Sequence, residues 1–265
     1  MRLSSLISCV FFTPLKEIVT NTVICSISNL VIFRANIYTT DTRPNASNPS
    51  GRHGLLSSAA IILAGGSSTR LGRDKGLLQL GEKPLFKHVL DSVDDLVDET
   101  VLVVSSHAQE RNYRKHTSTD IRVVIDKRDM KTPLVGALTG FESAHGEYSL
   151  VLSCDVPFVS QSILSLLLDL SMNKNAVIPR WPNGYIEPLL AVYCTEVAKA
   201  ASNDALDDGR LDMQAMVDKL QGIRYVSTLV LRQLDPELRT FFNVNTILDL
   251  RKAEAMLKHA HPERR

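Results

Sequence analysis

Between residues 65 and 75 the chain reads GGSSTRLGRDK. Gly65 and Gly66 carry no Cβ, so their backbone N–H groups can close on an anion. Ser67, Ser68 and Thr69 add hydroxyl donors. Arg70, Arg73 and Lys75 add the positive charge that a polyphosphate calls for. The pattern is neither GxxxxGK followed by Ser or Thr, nor GxGxxG. From the loop alone, an ordinary strand-to-helix turn with a solvated basic face would read the same way.

Two carboxylates stand in comparable places. Asp155 closes the apolar run SLVLSCD (149–155), with Pro157 just beyond. A carboxylate there can hold Mg²⁺, a hard cation that takes one or two carboxylates together with substrate phosphate oxygens. A helix N-cap or a turn would also use an Asp in that position. Asp126 closes VVID (123–126) and precedes the polar KRDMKT. It could accept two hydrogen bonds from a base edge such as guanine N1–H and N2–H, or simply be solvated. Cys154 is expected to be a small buried apolar residue. His88 and His145 fall on predicted helices as structural or solvated groups. A phosphate loop ending in Lys, with an Asp two strand units later, describes nucleotide-dependent phosphoryl or nucleotidyl transfer.

These residues meet only if strands deliver them to one edge. AAIIL (59–63), TVLVVS (100–105), IRVVID (121–126) and YSLVLSCD (148–155) are continuous apolar runs, as buried parallel strands are. Helical patterns alternate with them. PLFKHVLDSVDDLV has Pro84 at its first position, AQERNYRK is polar, and PLVGALTGFESA (133–144) opens on Pro133. SQSILSLLLDLSM (160–172) follows with a serine cap. NAVIPR (175–180), IEPLLAVY (186–193) and IRYVS (223–227) are further strands. LDMQAMVDKL (211–220) and TILDLRKAEAMLKHA (246–260) are further helices. This alternation predicts an α/β, Rossmann-like three-layer sandwich with a mostly parallel sheet, whose ligands bind beyond the carboxyl ends of the strands.

Composition narrows the function classes. The net charge of +1 gives no global basic field, so nucleic acid is not an expected partner. No stretch reaches the ~20 apolar residues of a membrane span. Cys9, Cys25, Cys154 and Cys194 form no CxxC pair, which argues against a zinc site or disulfide framework and for a reducing, cytoplasmic setting. In the N-terminal region Arg2 precedes an apolar run, a weak targeting pattern that Pro14 and Lys16 end early. Residues 41–54 have linker composition. Residues 1–56 are therefore read as a disordered extension or misassigned start, and 57–262 as a single domain.

The segment LAGGSSTRLGRDKGLLQLGEKPLFKHV (63–89) resembles the LAGG-loop nucleotidyltransferases, and its DKGL continuation resembles the molybdenum cofactor guanylyltransferases, the MobA family. PLVGALTGF (133–141), SCDVPFVS (153–160), IEPLLAVY (186–193) and FFNVNTILDL (241–250) resemble that family's further segments, in order. The resemblance implies a nucleotide-diphospho-sugar transferase-like fold and a GTP site. Leu63, Ala64, Gly65 and Gly66 would supply nucleotide contacts, Lys75 and Arg70 would bind the phosphates, and Asp126 would lie at the GTP site. Asp155 would carry Mg²⁺. Residues 183–187 and 243–246 are candidates for holding the pterin. The implied reaction transfers GMP from GTP to the molybdopterin-bound cofactor, releasing pyrophosphate, in a protein acting as a monomer or weak homo-oligomer. A cytidylyltransferase or another small-molecule phosphate nucleotidyltransferase would use the same loop with a different base reader. A non-catalytic GTP-binding accessory protein would tolerate degenerate loops, whereas Gly65, Gly66, Arg70, Gly72, Lys75 and Asp155 are all present. A Rossmann dehydrogenase is excluded by the missing GxGxxG.

Overall fold

A computed structural model describes residues 57–65, 74–126, 128 and 130–260, together with two short strands nearer the N-terminus. The chain divides into two compact units, Met1–Pro49 and Ser50–Arg265. In the first, Thr22–Val23 pairs antiparallel with Phe33–Arg34. Otherwise residues 1–56 lie outside the described residues, as does most of what was expected of them.

The second unit is built on a seven-stranded sheet. Its strands are β1 (Ser58–Leu63), β2 (Glu99–Val104), β3 (Arg122–Ile125), β4 (Tyr148–Ser153), β5 (Ala176–Arg180), β6 (Leu190–Cys194) and β7 (Ile223–Ser227). They lie in the order β7-β5-β6-β4-β1-β2-β3. Neighbours pair in parallel except that β6 runs against both β4 and β5. The expected mostly parallel sheet is therefore present, with one reversed strand. That reversal matters to the site. Leu190, the first residue of β6, sits opposite Leu152 near the end of β4. The segment leading into β6 thus arrives at the edge where the parallel strands finish.

The helices are α1 (Leu85–Val93), α2 (His107–Tyr113), α3 (Pro133–Ser143), α4 (Gln161–Asp169), α5 (Thr195–Asp207), α6 (Met213–Lys219), α7 (Thr228–Leu231) and α8 (Ile247–Ala260). Alternation along β1 sends Ala60 and Ile62 to one face and Ile61 to the other. On the first face they pack with Phe86 and Val89 of α1, Tyr113 of α2 and Ile163 of α4. On the second, Ile61 packs with Leu134 and Phe141 of α3, Ala198 of α5 and Met216 of α6. These two cores make the three layers. Each fully buried Ile or Leu contributes about 1.5–3 kcal/mol relative to exposure.

Several local features differ from the sequence expectation, among them α7 and the start of β6 at Leu190 rather than Ile186. TEVAKAASNDALD forms α5, which was not anticipated. Gln79–Leu80 and Lys83–Pro84 form a hairpin before α1, so Pro84 is an extended N-cap residue rather than the first helical one. Ser160 occupies the N-cap of α4 but its side chain makes no capping bond. His145 lies beyond the end of α3, exposed beside Arg122 at 3.0 Å, while His88 within α1 meets the Leu80 carbonyl at 2.9 Å. A third small core joins the hairpin to α8 through Leu80, Leu85, Val244 and Ala253.

Candidate active site

The parallel strands release their next residues at a common edge. β1 delivers Ala64 and Gly65, β2 Ser105, β3 Asp126, and β4 Cys154 and Asp155. The backbone extends the sheet there: Ala64 N–H donates to Val103 O at 2.8 Å, Asp126 N–H to Val104 O at 2.8 Å, and Cys154 N–H to Leu63 O at 3.1 Å. A Cβ on Gly65 would lie 3.2 Å from Ser105 N and collide with the Ser105 hydroxyl, so close packing already requires a small residue at this position.

Lys75 opens a 3₁₀ turn, Lys75–Leu77. Its Nζ forms an ion pair with Asp155 Oδ2 and donates to Asn245 Oδ1 at 2.6 Å. An ammonium has three N–H donors, so one remains for a further acceptor. The pair is largely shielded, with side chains 17% and 12% exposed. Asp155 is also anchored through its backbone, whose carbonyl accepts from Val244 N–H at 2.9 Å. Its other carboxylate oxygen, Oδ1, is buried and has no hydrogen-bond partner among the described residues. A buried, unpartnered anionic oxygen is costly unless a cation or donor meets it. The site therefore suits a hard cation held by one protein carboxylate and by phosphate oxygens. Among the described residues no group of three or more His, Cys, Asp and Glu could hold a metal unaided.

Asp126 is buried, 4% exposed. Its Oδ1 accepts from Arg128 N–H at 3.0 Å and Thr139 Oγ1 at 3.1 Å. Lys131 Nζ donates to the Asp126 carbonyl at 2.7 Å and stands 3.7 Å from Oδ2. Oδ1 is thus filled by protein donors, while Oδ2 faces the Lys131 ammonium. Asp126, Gly65, Ser105 and Lys131 line a hollow floored by Leu63, Val103 and Pro133. This hollow shares Thr132, Pro133, Ser153 and Leu189 with a cleft of about 990 Å³. The cleft contains Asp155, Tyr185, Glu187, Phe241 and Asn243. Burial pushes the Glu187 carboxyl up, opposed by the Trp181 indole, which donates to it at 2.6 Å.

Lys75, Asp126, Asp155, Leu63, Ala64 and Gly65 are thus gathered at one edge. Gly66 and Arg70, with Ser67, Ser68, Thr69 and Arg73, lie outside the described residues. Cys154 is buried as expected, and that burial raises its thiol well above the ordinary range. Sequence reasoning gave no role to Asp74, Gln109, Tyr113, Lys131 or Thr139. Asn245 was legible only as part of FFNVNTILDL, among residues expected to hold the pterin rather than to touch Lys75.

A mostly parallel sheet with a basic residue and a carboxylate paired at its carboxyl edge defines an α/β protein with a polar site where such sheets bind their ligands. Comparison with known proteins makes this specific. A family model, the MobA-like NTP transferase domain, matches residues 60–223, and the chain belongs to that family. A probable molybdenum cofactor guanylyltransferase of Methanosarcina mazei is 34% identical over 207 residues, 76% of this chain and 91% of the relative. The molybdenum cofactor guanylyltransferase of Desulfosudis oleivorans is 34% identical over 203 residues, 75% and 95% of the two chains. Among solved structures, molybdopterin-guanine dinucleotide biosynthesis protein A from Archaeoglobus fulgidus superposes with a TM-score of 0.65 at 27% identity. That match covers 76% of this chain and 99% of the other. A 4-diphosphocytidyl-2C-methyl-D-erythritol synthase from Anaerococcus prevotii shares the fold at a TM-score of 0.58 and 16% identity, covering 76% and 96%.

Proposed function

We propose that this nucleotidyltransferase transfers GMP from GTP to the terminal phosphate of the molybdopterin-bound molybdenum cofactor, forming the guanine dinucleotide cofactor and pyrophosphate. The observation that carries the reading is the Lys75–Asp155–Asn245 cluster at the edge where GTP's phosphates would lie. It agrees with the names of the relatives above. A phosphate oxygen of the acceptor attacks the α-phosphorus, the bond from that phosphorus to the β-phosphate's bridging oxygen breaks, and pyrophosphate leaves with the electron pair. The attacking phosphate is already ionised at neutral pH, so the protein needs no strong general base. Its task is positioning and charge stabilisation.

Each residue takes a part in this. Lys75 gives its third N–H to the phosphates and stabilises the departing pyrophosphate, assisted by Arg70 or Arg73. Asp126 meets the guanine edge with Oδ2, beside the Lys131 ammonium. Leu63, Ala64, Gly65 and Gly66 border the nucleoside and phosphates. Asp155 Oδ1 would hold Mg²⁺. When bound, the ion would neutralise charge on the α-phosphate. The larger cleft, with Glu187 and Asn243, would take the acceptor. The setting proposed is the cytoplasm. Among the described residues no helix is long and apolar enough to cross a membrane, and Cys154 and Cys194 are free.

Calorimetric titration with GTP, CTP and ATP, with and without Mg²⁺, tests the reading. GTP is expected to bind alone among the three and more tightly with Mg²⁺. Preference for CTP would move the chain to the cytidylyl branch, and binding of none would overturn the proposal.

A further inference from the structure

The glycine–serine loop is bracketed by side chains of α2 and its lead-in. On the near side the Ser105 hydroxyl donates to the Gly65 carbonyl. On the far side Asp74, immediately before Lys75, is held three times. Its Oδ1 accepts from Tyr113 Oη at 2.6 Å and from Gly76 N–H at 3.2 Å, and its Oδ2 accepts from Gln109 Nε2 at 2.8 Å. Gln109 also joins the two sides, because its Oε1 accepts Ser105 N–H at 2.8 Å. These partners assign the amide without ambiguity: Ser105 needs an acceptor and Asp74 needs a donor. Tyr113 spans the sides as well, its hydroxyl lying 3.5 Å from Ala64 O.

A short 3₁₀ turn needs only one side-chain bond at its start, which Gly76 N–H already takes. The bonds to Gln109 and Tyr113 cross to residues 35 and 39 positions away and need another account. Tyr113 is fully buried and packs edge-on against Phe86, with ring centroids 4.7 Å apart. Burial raises its hydroxyl far above the ordinary range, so it stays a donor. Gly76 allows this approach, since a Cβ there would collide with Tyr113 Oη. Side chains of α2 and its lead-in thus hold Gly65 and Asp74, the described residues on either side of the glycine–serine segment.

We propose that Asp74, Gln109 and Tyr113 are positioning residues that clasp the two ends of the glycine–serine loop and set Lys75 for the triphosphate. The proposal rests on the nucleotide reading above. Fixing both ends in advance removes part of the ordering cost that binding would otherwise meet.

A polarity swap tests it. Gln109→Glu sets two carboxylates against each other, and Asp74→Asn sets two amide NH₂ groups against each other. The double variant restores every bond. Its amide at position 74 donates to the carboxylate at position 109 while still accepting from Tyr113 and Gly76, and that carboxylate still accepts from Ser105. Two readouts apply: the Kd for GTP, and hydrogen exchange at the Gly76 and Ser105 amides without nucleotide. Each single variant is expected to raise both by about tenfold, the weight of one hydrogen bond to a charged group. The double variant is expected to return both towards wild type. Should either single variant fail to fold, Tyr113→Phe removes one oxygen from a ring that Phe86 still holds. Unchanged Kd in the single variants, or a double variant no better than either, would overturn the clasp. A lowered melting temperature with unmoved Kd would also overturn it, as a merely architectural role. Exchange that follows the swap in a protein that binds no GTP would support the clasp and refute the nucleotide reading.

Discussion

Removing the Lys75 ammonium leaves Asp155 and Asn245 without their common partner. Lys75→Ala and Asp155→Asn are each expected to slow pyrophosphate release by ~100–1000-fold, as loss of one preorganised charge contact does. Circular dichroism is expected to show the fold retained. The double variant is expected to lose little more than the worse single, since the two groups act as a unit. A rate near wild type in either single variant contradicts their roles. Glu187 calls for a different measurement. Its carboxyl is raised by burial, so the folded state holds this proton to higher pH than the unfolded chain does. That contribution is present below the unfolded value of about 4.3 and is lost as pH rises through the folded one. Glu187→Gln keeps an acceptor for Trp181 without the buried charge. Its melting temperature is expected to exceed that of wild type by a margin that opens as pH rises from about 4 to about 8. A gap that closes over that range would reverse the sign argued here. At this scale the sequence made the chemistry visible but not the partnerships. Asp126 and Asp155 stand out because each ends an apolar run, and Lys75 because it closes a glycine-rich basic segment. Asn245 bonds Lys75 across 170 positions, and nothing local announces such a pairing.

Helix α3 carries two glycines with opposite roles. At Gly136 an added Cβ would meet its nearest neighbour, Leu63, at an ordinary 3.7 Å. At Gly140 it would run into the Ile61 side chain on β1. Gly136→Ala is therefore expected to stabilise the protein by up to about 1 kcal/mol through helix preference. Gly140→Ala is expected to destabilise it, because overpacking against the central strand costs about 1–3 kcal/mol. Urea unfolding of both variants would separate them, and equal shifts would contradict the packing described. Elements were legible where their pattern was strong. The strands around β1 are largely unbroken apolar runs, and the Pro133 helix shows its start. Helix α5 was not, because its buried stripe is Ala198, Ala201 and Ala205, residues too small to raise a hydrophobic signal above their polar neighbours. The Gln79–Pro84 hairpin was missed for a related reason. Its strands have only two residues each, and its core comes from Val244 and Ala253, far along the chain.

Across the whole molecule the C-terminal segment closes what the N-terminal half begins. Val244 and Ala253 cover Leu80 and Leu85, and Asn245 reaches Lys75. A chain ending before Phe242 is expected to lose about 3–6 kcal/mol of stability from uncovering those two leucines. It is also expected to lose GTP binding. A chain beginning at Ser57 is expected to keep both, since the sheet and the site described lie within residues 57–260. Melting curves and GTP titrations on the two truncated chains check this, and normal binding by the C-terminally shortened one would contradict the closure. The same contact sets a timetable during synthesis. At about 5–20 residues per second, the 170 positions between Lys75 and Asn245 take roughly 9–34 s to translate. Throughout that interval the ribosome carries a chain in which Lys75 is already made and Asn245 is not. A growing polypeptide therefore passes through most of its synthesis before the Lys75–Asn245 bond can form.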